Sequence, residues 1–171
     1  MNKNELIEFT IRKVRTEDAE SLAKYLNNKK IYEHTLIVHF PYNLQIAKDW
    51  IKETLEMGYD KPVPYLNFII EIHGEAVGVI SLEQIAEKEA ELGYWLAEKY
   101  WNQGIMTEAI KHFTKYAFDK VGLKKITVPI FTSNVASQKV MEKCGYKKVG
   151  KKELSKKDEK IPALVFVFEK N

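Results

Sequence analysis

Glu91-Leu92-Gly93-Tyr94-Trp95-Leu96-Ala97-Glu98-Lys99-Tyr100-Trp101-Asn102-Gln103-Gly104-Ile105-Met106-Thr107-Glu108-Ala109 is the stretch that decides the fold. It starts as an apolar strand, passes through a brief loop, and enters a long amphipathic helix after Gly104. Ile105, Ala109, Phe113 and Ala117 form the apolar stripe of that helix. Free backbone N–H groups and the positive end of the helix dipole meet where the loop becomes the helix, which makes an anion site. A glycine there lets a phosphate approach the main chain where a side chain would block it. The same turn also serves as plain geometry, so one glycine does not assign a ligand. Neither a Walker sequence nor G-x-G-x-x-G occurs, and the ATP and dinucleotide readings lose support.

Working outward toward the amino terminus, the run 90–97 is preceded by two β-branched apolar runs, 65–72 and 76–82. His73-Gly74-Glu75 separates them as a hairpin turn would. Before these, Phe9-Thr10-Ile11-Arg12 alternates as a short strand. Thr16-Glu17-Asp18 then opens a helix with Ala19, Leu22, Ala23 and Leu26 at helical spacing. Between residues 30 and 43 the periodicity is lost, and Pro41 argues against a helix. A second helix starts after Asn43, carries Ala47, Trp50 and Ile51 on one side, and ends at Gly58. On the carboxyl side, Gly122-Leu123 closes the long helix. A strand over 125–131, a short helix over 134–144 stopped by Gly145, and two last strand runs complete the chain. The order β-α-α-β-β-β-α-β-α-β-β specifies a mixed α/β layer fold. No repeat or linker divides it, so one domain over residues 1–171 is expected.

Composition sets the outer limits. With 171 residues, 45% hydrophobic and 30% charged, the chain has enough apolar content for a core without disulfide or metal staples. Its single cysteine, Cys144, has no partner for an internal disulfide. No run is long enough to span a membrane, and Met1-Asn2-Lys3-Asn4-Glu5 lacks a signal-peptide core, so a cytoplasmic location is expected. A net charge of +3 is too small to imply nucleic-acid binding, and the lysine-rich tract 147–157 is broken by Glu153 and followed by Asp158 and Glu159, as on a solvated face. His34, His39, His73 and His112 lack metal-ligand spacing, so no metal site is expected. Cys144 reads as a buried thiol rather than a nucleophile.

The stretch quoted above, followed by Ile130-Phe131-Thr132-Ser133-Asn134-Val135-Ala136-Ser137-Gln138-Lys139-Val140-Met141-Glu142-Lys143-Cys144-Gly145-Tyr146, resembles the GNAT superfamily of acetyltransferases, in its RimJ/RimL-type branch. That branch includes ribosomal-protein N-terminal and spermidine acetyltransferases. The amino-terminal half agrees more loosely, through residues 11–19 and 40–44. The specific part of the resemblance spans about residues 88–150. The implied fold is a mixed, mostly antiparallel sheet of about seven strands, splayed between the fourth and fifth and flanked by four helices. The implied activity is transfer of an acetyl group from acetyl-CoA to a primary amine, such as a protein N-terminus, a polyamine or a small amine. A homodimer would also fit the family.

The resemblance assigns roles residue by residue. The pyrophosphate loop Q/R-x-x-G-x-G/A falls on Trp101 to Met106, where only Gly104 matches. Asn102, Gln103, Gly104, Ile105, Met106 and Thr107 are the implied phosphate contacts. Asn102 replaces a glycine of the branch pattern but tolerates positive φ, whereas Met106 replaces a small residue and crowds the helix start. Trp95 and Leu96 would offer main-chain groups to the pantetheine arm and the thioester carbonyl, although both side chains also read as core. Glu91 aligns with the strand glutamate used as general base. Alternation puts it on one face with Gly93 and Trp95, and the competing reading is a surface glutamate. Ser137 stands where the branch places a hydrogen-bond donor to the sulfur, or it caps its helix. Asn134 matches a pantetheine-binding asparagine, or it is an N-cap. Many members carry a tyrosine acid four residues beyond Ser137. Met141 stands there, and a thiol pKa of about 8.5 makes strong acid catalysis dispensable. The segment 30–43 occupies the acceptor-binding region, with Glu33, His34 and Tyr42 as candidate contacts or a solvated loop. The alternative to an enzyme is an acyl-CoA-binding regulatory module without catalysis, suggested by the missing tyrosine and the irregular loop.

Overall fold

The computed structural model describes residues 6–60 and 62–170. The polar stretch Met1-Asn2-Lys3-Asn4-Glu5 lies outside the described residues, as do Lys61 and Asn171. Among the described residues, seven strands form one sheet. They are β1 (Thr10–Lys13), β2 (Leu66–Ile72), β3 (Glu75–Ala86), β4 (Glu89–Leu96), β5 (Lys125–Phe131), β6 (Lys147–Lys156) and β7 (Glu159–Glu169). Their spatial order is β1-β2-β3-β4-β5-β7-β6, and every neighbouring pair is antiparallel except β4 with β5. The helices are α1 (Ala19–Leu26), α2 (Lys29–His34), α3 (Leu44–Met57), α4 (Ile105–Tyr116) and α5 (Val135–Lys143).

Turn chemistry fixes the hairpins. His73 and Gly74, at φ 50° and 79°, make a two-residue turn between β2 and β3, and Glu87 and Lys88, at 50° and 68°, do the same between β3 and β4. Paired positive φ values match the right-handed twist of the strands they join. The implied set of four helices gains a fifth, α2, inside the segment that shows no periodicity. Six residues are too few for a helical repeat to register. The signal is local instead: the Asn28 side-chain oxygen accepts from the N–H groups of Lys30 and Ile31 at 2.9 and 3.3 Å.

Each face of the sheet has its own core. On one face α4 and α5 bury Ile105, Ala109, Phe113 and Met141 against Phe68, Ile80, Leu92, Ile126 and Phe166. On the other, α1 and α3 bury Leu22, Leu26, Ala47 and Ile51 against Ile69, Val79 and Trp95. Strand β6, at the sheet edge, is the lysine-rich tract, and it is mostly exposed, as the sequence suggests. No helix among the described residues is long and apolar enough to cross a membrane.

Candidate active site

Strands β4 and β5 pair only over Glu89↔Lys125, Ala90↔Ile126 and Glu91↔Thr127. Beyond that point they separate: β4 stays paired to β3 as far as Leu96, and β5 stays paired to β7 as far as Phe131. The facing edges, residues 92–96 and 128–131, therefore carry backbone groups that no neighbouring strand takes up. A cleft of about 1100 Å³ runs through this opening.

One end of the cleft lies on the turn into α4. Asn102 has φ 59° and Gly104 has φ 78°, so the loop folds back through two left-handed residues before the helix starts. No side chain caps α4, and the first N–H bonded along the helix is that of Glu108, to Gly104 O at 3.1 Å. The N–H groups before it are thus directed at the loop. A Cβ built at Gly104 would meet nothing within 4 Å. Its φ demands the glycine, and the open space above it suits an anion approaching the main chain. Residues 102–107 all line the cleft. Met106 turns its half-buried side chain toward the α4–α5 core, which leaves its backbone at the turn. The turn is held from below by Trp101, whose indole N–H donates to Leu96 O at 2.7 Å.

In the middle of the cleft, Tyr94 and Ser137 share a short hydrogen bond between their hydroxyls. Tyr94 points to the α4–α5 face, and burial raises its phenol above the ordinary value, so it remains a neutral hydroxyl. Asn134 lines the cleft and caps α5, its side-chain oxygen accepting from Ser137 N–H at 3.2 Å. Met141 is fully buried in the core and offers no proton.

The opposite face of the opening is acidic. Glu91 and Gly93 lie on the α1–α3 side with Trp95, and Lys152 Nζ sits 3.6 Å from Glu91 Oε1. Directly across the ladder from Glu91 is Glu83 on β3. Asp49 and Glu53 on α3 line the same cleft, as do the partly exposed apolar side chains of Leu36 and Ile37. His34 and Tyr42 lie on its wall, and burial pushes the Tyr42 phenol up to about 12. Glu33 is exposed, stands 3.8 Å from Lys29 across one helical turn, and is not among the lining residues. Cys144 is half-buried, donates to Thr107 O at 3.4 Å, and has its thiol pushed up to about 11 by burial, which suits packing rather than nucleophilic attack.

The structure thus gathers Glu91, Trp95, Leu96, residues 102–107, Asn134, Ser137, His34 and Tyr42 along one cleft and leaves Glu33 outside it. Asp49, Glu53, Leu36 and Ile37 join the cleft without a signal in the sequence, and so do Tyr94 and Glu83. Tyr94 reads as a core aromatic, and Glu83 reads as a polar residue near a strand end. The signal for each is tertiary.

The cleft thus joins a turn of free N–H groups at one end to a group of carboxylates at the other, across a sheet opened between parallel neighbours. The sequence pattern described as acetyltransferase (GNAT) domain matches residues 8–147, and the chain belongs to that family. It is an acetyl-CoA-dependent N-acetyltransferase. YdaF of Bacillus subtilis (strain 168), a candidate ribosomal N-acetyltransferase by name, is 28% identical over 153 residues, covering 84% of this chain and 80% of the relative. The solved structure of Mycobacterium smegmatis RimJ in complex with CoA-disulfide superposes with a TM-score of 0.85 at 19% identity, covering 94% of this chain and 81% of that one. Spermidine N-acetyltransferase from Vibrio cholerae, in complex with CoA and spermine, gives 0.79 at 17% identity, covering 94% and 95%.

Proposed function

We propose that the enzyme acetylates a primary amine by direct attack, with acetyl-CoA and the amine bound together. The observation that carries this reading is the continuity of one cleft, from the Gly104 turn through the β4–β5 opening to the carboxylates of Glu83 and Glu91. The diphosphate lies on the N–H groups of residues 103–107, and the pantetheine arm runs along the free edges of 92–96 and 128–131. The thioester comes to rest between Ser137 on one side and the acidic wall on the other. A main-chain N–H near Trp95 or Leu96 then receives the carbonyl oxygen as negative charge develops on it.

The Ser137 hydroxyl, oriented by Tyr94, supplies a hydrogen bond to the departing sulfur. The ammonium is drawn to the acidic wall and loses its proton there, with Glu91 among the groups that take part. The apolar side chains of Leu36 and Ile37 beside that wall favour an amine with an apolar neighbour, such as a peptide N-terminus, over an extended polyamine. Ribosomal N-acetylation in the name of YdaF supports the first class, and the spermidine enzyme keeps the second in the test. Catalysis with acetyl-CoA takes place in the reducing cytoplasm, where Cys144 stays a free thiol.

Acetyl-CoA turnover, followed by thiol release, is measured with a tripeptide bearing a free amino terminus, spermidine and phenethylamine. The expected result is turnover with the tripeptide and phenethylamine at a higher kcat/KM than with spermidine. CoA binding without transfer to any of the three contradicts the reading.

A further inference from the structure

Glu83 is a carboxylate that the fold goes out of its way to place. From the two-residue Glu87-Lys88 turn, an unbroken antiparallel register would put Gln84 opposite Glu91. The ladder slips between Glu83 and Ala86, and Gln84 takes φ 53°, so Glu83 becomes the partner of Glu91. A bulge of this kind re-aims a side chain, and a non-glycine residue at positive φ is a conformation that must be held by its surroundings. Gly93 completes the arrangement. A Cβ at that position would lie 2.5 Å from Glu83 Oε1 and 2.8 Å from Ser81 Oγ, so the carboxylate occupies the space that a side chain on β4 would fill. The buried Ser81 hydroxyl donates to Glu83 Oε1 at 3.0 Å.

From this geometry we infer that Glu83 is the group that takes the proton from the acceptor's ammonium, and that Glu91 serves it as a neighbouring charge. The inference rests on amine acetylation as the reading of the cleft. Two carboxylates facing each other across a ladder repel, and the better buried one is the one that gains a proton. Burial raises the Glu83 carboxyl, with Glu91 adding to the rise and the Ser81 hydrogen bond opposing it. Among the described residues no cation pairs with Glu83. Asp49 and Glu53 on α3, His34 at the end of α2 and His39 beyond it share its cleft, while Lys152 approaches Glu91. Glu91 already has a cationic partner, with Lys152 Nζ 3.6 Å from its Oε1, and Glu83 has none among the described residues.

The reaction balances with Glu83 in this role. The ammonium gives one proton to a Glu83 oxygen, and the freed lone pair forms the C–N bond to the acyl carbon. The C–S bond breaks, the sulfur receives the second N–H proton, and Glu83 returns its own proton to solvent.

The test compares Glu83→Gln, Glu91→Gln and Gly93→Ala in kcat against pH, with phenethylamine as acceptor. CoA affinity is measured beside it by calorimetry. Glu83→Gln is expected to lower kcat ~100-fold and abolish the acidic limb of the profile, with CoA affinity unchanged. Glu91→Gln is expected to keep the limb and move it to lower pH, because the repulsion that raises Glu83 is gone. Gly93→Ala, which displaces the carboxylate without removing it, is expected to lower kcat as well. If Glu83→Gln does not fold, carbon-13 titration of the glutamate carboxyls in the wild type and in Glu91→Gln decides, since one raised carboxyl must fall in the variant. A limb that survives in Glu83→Gln, or that vanishes in Glu91→Gln, overturns the inference. A wild type that turns over no amine overturns the acetylation reading beneath it, and the inference with it.

Discussion

Gly104 and Asn102 perform the same backbone task with different means. Both sit at positive φ, where an L-residue with a Cβ is strained and asparagine is tolerated better than most. Gly104→Ala is therefore expected to cost about 1 kcal/mol of stability by denaturant unfolding. Calorimetry should show a further loss of CoA affinity, because the added methyl enters the space above the turn. An unchanged affinity would mean that the phosphates bind elsewhere. The turn itself was legible in the sequence, as a glycine between a strand and a helix, although one glycine does not by itself assign a ligand. Tyr94 was not, because its partner Ser137 is 43 positions away and on another element. Glu83 was hidden by one residue of register: a bulge leaves no mark in the composition of β3, and without it alternation points to Gln84.

At the level of elements, the α1–α3 side of the sheet is tied by charge as well as by packing. Arg12 on β1 holds Asp18, just before α1, through two hydrogen bonds of 2.9 and 2.7 Å, and also bonds to Glu71 on β2. Asp18 is buried, at 4% exposure, and also accepts from Arg15 N–H at 2.8 Å. Removing the guanidinium leaves a buried carboxylate without its partner. Arg12→Ala is thus expected to destabilise the protein by about 3 kcal/mol, read from the urea midpoint. A loss below about 1 kcal/mol would mean the pair behaves as an exposed one. Lys156, at the end of β6, bonds to the carbonyls of Tyr32 and Thr35 and lies 3.7 Å from the Tyr32 ring centroid. It fastens the end of α2 to the sheet edge, so this wall of the cleft depends on a residue more than 120 positions away. The strands and the four longer helices could be read from periodicity and caps. Helix α2 could not, being a single capped turn and a half whose position is set by such distant contacts.

At the scale of the molecule, the two cores lie on either side of the gap where the parallel pair β4–β5 parts. Buried phenols line it and the adjoining core. Burial pushes Tyr42 up to about 12 and also raises Tyr94 and Tyr146 above their ordinary value. A phenol with a raised folded-state pKa contributes stability that is full below the unfolded value of about 10 and is lost as pH climbs through the folded one. The urea midpoint should hold from neutral pH to about 9 and fall between about 10 and 12. The tyrosinate absorbance of Tyr42, Tyr94 and Tyr146, resolved by Tyr→Phe variants, should rise in step with unfolding; ionisation of these three near about 10 in the intact fold would contradict their burial.

The most direct test of the account is a crystal structure of the protein with CoA. The account predicts the diphosphate on the main-chain N–H groups of residues 103–107. It also predicts the pantetheine arm between residues 92–96 and 128–131, with its sulfur near Ser137. CoA bound outside the β4–β5 opening, or an opening closed by pairing of those two edges, would contradict it.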